Sequence, residues 1–219
     1  MTDADPYAEL RNEMVERQIR ARGISDPRVL AAMRKVPRHL FVPPAYERSA
    51  YQDSPLPIGE GQTISQPYIV AVMTELLELN PEDTVLEVGT GSGYQAAILA
   101  ELAARVISIE RLPSVAENAR ENLERVGVTN VEVTVGDGTK GYPAEAPYDG
   151  IIITAATPSI PEPLIDQLAE GGRLVAPTGA REFQELVRLV RRDGAVERTS
   201  FGGVCFVPLI GQYGWHGAE

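Results

Sequence analysis

Three features of this 219-residue chain predict an α/β fold with a doubly wound, mostly parallel sheet. Short β-branched runs alternate with helical patterns of roughly ten residues, as in a parallel sheet with helical crossovers. A glycine-rich turn follows the first of these runs directly and opens a helix, where a backbone must pass close to a ligand. Acidic residues stand at the ends of the next two runs, the side on which open α/β sheets bind ligands.

The runs are TVLEV (84–88), RVISI (105–109), VEVTV (131–135), the buried-looking GIIIT (150–154) and RLVAP (173–177). Between them lie helical patterns over 94–104, near 113–126, and in PEPLIDQLAEGG, which ends on a glycine stop. Upstream, Ile69, Val72, Met73, Leu76 and Leu77 form an apolar stripe on a helix that starts at Pro67 and closes at NPED. Two small helices are expected before it. Leu10, Met14, Val15 and Ile19 carry the first, which Gly23 ends; Asp26 caps the second, with Pro27 in its first turn and Pro37 as its stop. The proline-rich stretch 38–67 keeps Phe41, Tyr46 and Tyr51, so an ordered functional loop or covering segment is expected. FQELVRLVRRDG and VCFVPLIGQYGW read as strands joined by a turn, with Cys205 a packed strand residue.

A chain of this length builds one sizeable core, here one domain with a terminal extension. Its 31 acidic residues outnumber its 20 Lys and Arg, a net charge of −11 that argues against contact with a phosphate backbone. A single cysteine forms no intrachain disulfide, the first residues lack a basic-then-apolar leader, and no apolar run reaches membrane length. A cytoplasmic protein without membrane or nucleic-acid partners is the expectation. Neither a Cys/His cluster nor a helical His pair is present, so no metal is expected. His39 reads as a structural or surface residue and His216 as part of the tail.

The glycine turn is VLEVGTGSGYQAA, with Gly89, Gly91 and Gly93. A dinucleotide fingerprint needs a third glycine where Tyr94 stands, and no Gly-Lys-Ser/Thr follows for a phosphate loop. With Glu87 two residues before the first glycine, the pattern resembles motif I of the class I methyltransferases that bind S-adenosylmethionine. Glu110 ends the second strand, 21 residues after Gly89, and Asp137 follows the third in VGDG. Either acid could serve simply as a cap or turn residue. The methyltransferase resemblance implies instead that Glu110 holds the ribose and that Asp137 and Gly138 lie near the adenine.

GEGQTISQP (59–67) offers no strong base or nucleophile. An acceptor already ionised at neutral pH, such as a free carboxylate, needs neither. Ser65, just before the helix start, would form an anion site with the free N–H groups of the first turn, or it would cap that helix. Spacing alone leaves both open. GQTISQPYIVAVM, with FVPPAYERSAYQDSPLPIGEGQT before it, VLEVGTGSGYQAA after it and FVPLIGQYGW near the end, closely resembles the protein-L-isoaspartate O-methyltransferase family. The resemblance runs from about Met14 to Trp215 with the motifs in family order.

It implies methyl transfer from S-adenosylmethionine, with S-adenosylhomocysteine as product, to the free α-carboxylate of L-isoaspartyl residues in damaged proteins and peptides. It also implies a Rossmann-like methyltransferase fold, Ser65 as active-site residue, Thr63 and Ile64 in the same pocket, and Val207, Pro208 and Leu209 closing over the substrate. Cys205 stands where the family often has an Arg or another polar residue. The expected organisation is N-terminal helices and active-site loop (1–66), cofactor-binding core (67–178) and C-terminal strands completing the same domain (179–219), in a monomer. Two alternatives share the fold: a methyltransferase for a small molecule or RNA, and a cofactor-binding module that uses Ser65 only as a cap. The acidic balance and the lack of an Asn-Pro-Pro-aromatic motif weaken the first.

Overall fold

The computed structural model describes residues 5–216. Its main sheet has seven strands: β3 (Thr84–Val88), β4 (Arg105–Glu110), β5 (Val131–Val135), β6 (Tyr148–Ile153), β7 (Leu168–Gly179), β8 (Gln184–Arg192) and β9 (Ala195–Val204). They lie in the order β5-β4-β3-β6-β7-β8-β9. The first five in that order run parallel, and β8 and β9 close one edge as an antiparallel hairpin. The chain winds one way from β3 through β5 and then returns to place β6 on the other side of β3. That reversal opens a crevice at the carboxyl ends of β3 and β6.

Side chains alternate between the two faces of the sheet. Val85, Val106, Ile152 and Val175 pack on one face with Val70, Met73 and Leu77 of α3 (Pro67–Leu77), Ile98 and Leu99 of α4 (Tyr94–Ala100), and the N-terminal helices. Leu86, Ile107, Ile151, Ile153 and Leu174 face the opposite way, onto Leu164 of the short α6 (Glu162–Asp166). Both faces are therefore covered, which is why these strands read as apolar runs. The first of these cores gathers residues from Met14 to Leu186, so the N-terminal helices and the C-terminal hairpin share it with the parallel strands.

The N-terminal helix keeps its expected extent with a different interior. α1 (Ala8–Glu13) continues into a π-helical turn, Met14–Ile19, and a 3-10 turn, Arg20–Arg22, before Gly23 stops it at a φ of 104°. The wide turn brings Met14, Val15 and Ile19 into the core, while Leu10, expected on the same stripe, stays exposed. α2 (Pro27–Lys35) starts as expected, its Asp26 side chain accepting the Arg28 backbone N–H at 2.8 Å. His39 is structural: its Nδ1 lies 2.8 Å from the Tyr51 hydroxyl, and its ring sits 4.2 Å from that of Tyr7. The proline-rich stretch is ordered, with two 3-10 turns and a hairpin of β1 (Leu56–Gly59) and β2 (Gln62–Ile64).

Three expectations change. α4 ends at Ala100, short of 104. The helix expected through PEPLIDQLAEGG is only α6, because β7 already begins at Leu168, which pairs with Tyr148 across an irregularity. Gly171 at a φ of +78° and the bare backbone of Gly172 let the chain bend there and continue as strand. The last strand is Ala195–Val204, reached through the tight Asp193-Gly194 turn, and VCFVPLIGQYGW beyond Val204 leaves the sheet. Cys205 is consequently exposed, outside the strand that was expected to bury it.

Replacing Asp26 by Ala should lower stability by about 1 kcal/mol through the lost cap. The Arg28 side chain hydrogen-bonded to Asp26 holds its carboxyl below the ordinary 3.8, against the opposing effect of burial. A depressed native pKa contributes stability that is complete above about 3.8 and lost as pH falls below it. Urea unfolding of wild type and Asp26→Ala should thus show a gap at neutral pH that narrows in acid.

Candidate active site

The turn that leaves β3 is built from backbone. Gly89, Gly91 and Gly93 adopt φ of +99°, +55° and +86°, a region that favours glycine. The Gly89 N–H donates to Ile109 O on β4 at 2.8 Å, and on the other side Thr154 N–H donates to Val88 O at 2.9 Å. Thr154 Oγ1 donates to Gly89 O at 2.5 Å, and a Cβ on Gly89 would lie 2.4 Å from that oxygen. The turn is thereby fastened to the strands on both sides of β3. Gly93 then caps α4 at a φ of +86°, and a Cβ there would lie only 3.3 Å from Ala119 O and from Leu123 of α5 (Pro113–Arg125).

Glu110 sits where expected, at the carboxyl end of β4. Its two oxygens accept the Gly91 and Leu112 backbone N–H groups, each at 3.0 Å. Gly138 lies against Val88, 2.6 Å from where a Cβ would be, which lets the backbone after β5 approach the turn. Asp137, next to Gly138, acts as a clamp. Its Oδ1 accepts the Thr139 hydroxyl at 2.6 Å and the Thr139 N–H at 3.0 Å, and its Oδ2 accepts the Gln212 N–H at 2.9 Å, holding the C-terminal segment. Burial would raise its pKa, but these hydrogen bonds outweigh that and hold it below the ordinary value.

Glu87 differs most from expectation. It points from β3 toward the α3/α4 face, is fully buried, and lines none of the cavities at this end of the sheet. Ser108 Oγ on β4 donates to Glu87 Oε2 in a very short bond and lies 2.6 Å from the hydroxyl of Thr90, within the glycine turn. Glu87 Oε1 has no partner among the described residues. Burial pushes the Glu87 carboxyl up to about 8, the Ser108 bond pulls it down and the Glu110 charge adds a further rise. Glu87 therefore supports the turn from beneath, and its burial favours the protonated form.

Three connected spaces open along this edge. A cavity of about 240 Å³ is bordered by Gly89, Glu110, Leu112, Gly138, Pro208 and Leu209. A throat of about 60 Å³ follows, between the turn and Thr63, Ile64 and Ser65. Beyond it lies a groove of about 710 Å³, to which Thr63, Ser65, Thr154 and Val207 belong as well as to the throat. Val207 reaches all three. The segment carrying it is held by Ala156, whose N–H donates to Val207 O at 2.8 Å and whose O accepts the Leu209 N–H at 2.7 Å. Only Val207 of the Val-Pro-Leu run thus meets the groove; Pro208 and Leu209, expected at the substrate, wall the first cavity.

Ser65 is not the helix cap. Gln66 holds the N-cap position of α3, makes no side-chain capping bond, and leaves the Ser65 hydroxyl without a hydrogen-bond partner among the described residues. Thr154 and Ala155 were not singled out from sequence, although GIIIT marks them as lying at a strand's carboxyl end. Phe183 and Gln184, which border the groove, carried no recognisable signal.

A switch-point crevice with a glycine turn, a carboxylate on the neighbouring strand end and a bare backbone after the third strand suits an adenosine-bearing ligand. The combination defines a class I S-adenosylmethionine-dependent methyltransferase. The chain belongs to the protein-L-isoaspartate O-methyltransferase family: the family model "Protein-L-isoaspartate(D-aspartate) O-methyltransferase (PCMT)" matches residues 9–214. The protein-L-isoaspartate O-methyltransferase of Methanoculleus marisnigri is 72% identical over 98% of both chains, and that of Methanoregula boonei is 63% identical over 98% of this chain and 99% of its own. A solved protein-L-isoaspartate O-methyltransferase superposes with a TM-score of 0.85 at 30% identity, over 93% of this chain and 67% of that one. A β-aspartate methyltransferase structure from Plasmodium falciparum, in complex with S-adenosyl-L-homocysteine, gives 0.79 at 26% identity, over 91% and 98%. S-adenosylmethionine is the cofactor, and no group of three or more His, Cys, Asp or Glu among the described residues could hold a metal.

Between the ordinary 4.5 and about 8, the unfolded chain has lost a proton that the folded chain keeps on Glu87. A raised native pKa in an acid makes stability fall as pH rises through that window. Glu87→Gln, which does not titrate, should flatten the slope. Chemical unfolding at about pH 5 and about pH 8 should show the variant gaining on wild type at the higher pH.

Proposed function

We propose that these cavities carry methyl transfer from S-adenosylmethionine to the free α-carboxylate of L-isoaspartyl residues in damaged proteins and peptides, with Ser65 orienting the acceptor. One observation carries the assignment: the uncommitted Ser65 hydroxyl stands at the border between the throat and the groove. Bound cofactor supplies an electrophilic methyl group on sulfur. Glu110 suits the ribose hydroxyls, and the glycine turn and Gly138 suit close approach of the adenosine. Pro208 and Leu209 close that cavity from the C-terminal segment.

The acceptor is already ionised near neutral pH, so no group needs to take a proton from it. Ser65 donates a hydrogen bond to one carboxylate oxygen, with backbone N–H groups at the start of α3 beside it, and this aims the other oxygen along the line of displacement. Thr63 and Val207 narrow the opening and limit access of water. The resulting methyl ester has an alcohol leaving group, and attack by the neighbouring amide nitrogen closes a succinimide that opens in part to normal aspartate. In the same proposal the enzyme works as a cytoplasmic monomer; its single cysteine is unpaired, in keeping with a reducing compartment. No helix among the described residues is long and apolar enough to cross a membrane.

Labelled S-adenosylmethionine should give a base-labile ester on a peptide containing L-isoaspartate and none on its L-aspartate twin. Transfer to neither, with cofactor bound, would refute the assignment. A hydrogen bond to a charged group is worth about 1.5–3 kcal/mol, so Ser65→Ala should lower the rate by roughly one to two decades with cofactor affinity retained. A loss nearer five decades would mean that Ser65 does more than orient.

A further inference from the structure

The groove beyond Ser65 is unusual for a protein of net charge −11: among the described residues, no Asp, Glu, Lys, Arg or His lines it. Its walls are largely apolar, from Pro55, Ile69, Phe183, Val204, Phe206 and Val207. Phe183 is 71% exposed, on a loop that turns sharply at Gly179, whose φ of +139° and approach to Phe183 O leave no room for a Cβ. Large apolar side chains held out to solvent on a constrained backbone mark a surface completed by a partner.

The two walls are tied together from inside. Gln184, 1% exposed, accepts the Phe206 N–H at its Oε1 (2.7 Å) and donates from Nε2 to Arg181 O (2.9 Å). One amide thus fixes the spacing between the loop carrying Phe183 and the segment carrying Cys205 and Phe206. Contacts within the chain hold the two walls in place, which lowers the ordering cost of binding. It shares Thr63, Ser65, Thr154 and Val207 with the throat, so a peptide whose carboxylate sits at Ser65 has a neighbouring residue within reach of it.

We infer that this groove is a subsite for a residue adjacent to the isoaspartate and that it selects an apolar side chain there, with Phe183 as its lip and Gln184 as the positioning residue that sets its width. The inference rests on Ser65 receiving the acceptor carboxylate. A charged neighbour would lose hydration against walls that offer no counter-ion, whereas an apolar one would cover Phe183 and Phe206.

The test uses isoaspartyl peptides carrying Leu, Ser or Glu at the preceding or the following position. At one of the two positions, Leu should give a KM about tenfold below Ser and Glu, with kcat within about twofold. Phe183→Ser should bring the Leu-to-Ser ratio close to one, and Gln184→Met should raise the Leu-peptide KM while S-adenosylhomocysteine binding is unchanged. The only cysteine of the chain, Cys205, lies in the groove and provides a readout free of turnover. With S-adenosylhomocysteine present, the Leu peptide should slow its alkylation more than the Ser peptide does. Equal KM values at both positions with methyl transfer intact, or equal protection of Cys205, would overturn the subsite. Absence of transfer to every peptide would count against the acceptor assignment, and Cys205 protection would then still decide the groove.

Discussion

The active end of the sheet depends on one close approach, that of the Gly89 backbone to Thr154. β3 is the strand at which the sheet reverses its winding, so its carboxyl end is flanked by the ends of β4 and β6. The first residue past it donates to β4 and is gripped by the Thr154 hydroxyl just past the end of β6, in a conformation and a space that exclude any side chain. Once that contact is made, the next residues have little freedom. Gly91 presents its N–H to Glu110, and Gly93 starts α4 beneath α5. The ligand cavity is therefore a by-product of how two neighbouring strands hold a single residue between them.

The polar groups around this point serve different ends, and burial sorts them. Glu110 borders the cavity, and each of its two oxygens accepts a backbone N–H group. Asp137, whose hydrogen bonds hold its pKa below the ordinary value, ties down the C-terminal segment. Glu87, deeper on the same face, is pushed toward its protonated form by desolvation and passes a hydrogen-bond chain through Ser108 to Thr90. Three acids at consecutive strand ends thus have three roles, set by how much water each retains. Arg38 is the cationic counterpart: wholly buried and lowered to about 10 by that burial, it donates to Ala50 O at 2.7 Å and lies over the ring of Tyr94, a throat residue, at 5.0 Å. It links the proline-rich stretch to the first residue of α4.

Strands buried on both faces were legible in the sequence because continuous apolar β-branched runs have few other uses. The glycine turn was legible because glycines so spaced after a strand answer a backbone requirement. Where the sequence misled, tertiary contacts had the deciding influence. LAEGG has a helical composition, yet pairing of Leu168 with Tyr148 draws it into β7. VCFVPLIG has strand-like composition, yet the Gln184 amide and Ala156 backbone divert it across the end of the sheet. That detour moves Pro208 and Leu209 to the cofactor side and leaves Cys205 exposed. Glu87 and Glu110 look equivalent as letters beside a glycine motif, and they even share a sheet face; only their depth along the strands separates a buried support from a cavity wall. Thr154 was passed over because its importance comes from the residue it meets, 65 positions earlier in the chain.

The hairpin that completes the sheet has a bearing on how the molecule behaves among its own copies. β9 is ten residues long and exposed almost throughout, with one side of its backbone unpaired at the end of the sheet. Such an edge is a template on which another strand can add. Two features oppose this. Glu197 and Arg198 place charges in the middle of the strand, facing Arg192 and Glu185 on the same hairpin. Near Gly202, at a φ of +100°, β9 carries one residue more than β8 and its regular spacing is interrupted. For an enzyme of a family that acts on isoaspartyl-containing proteins, an edge with these interruptions discourages extended segments of other chains from adhering to the sheet instead of entering the crevice.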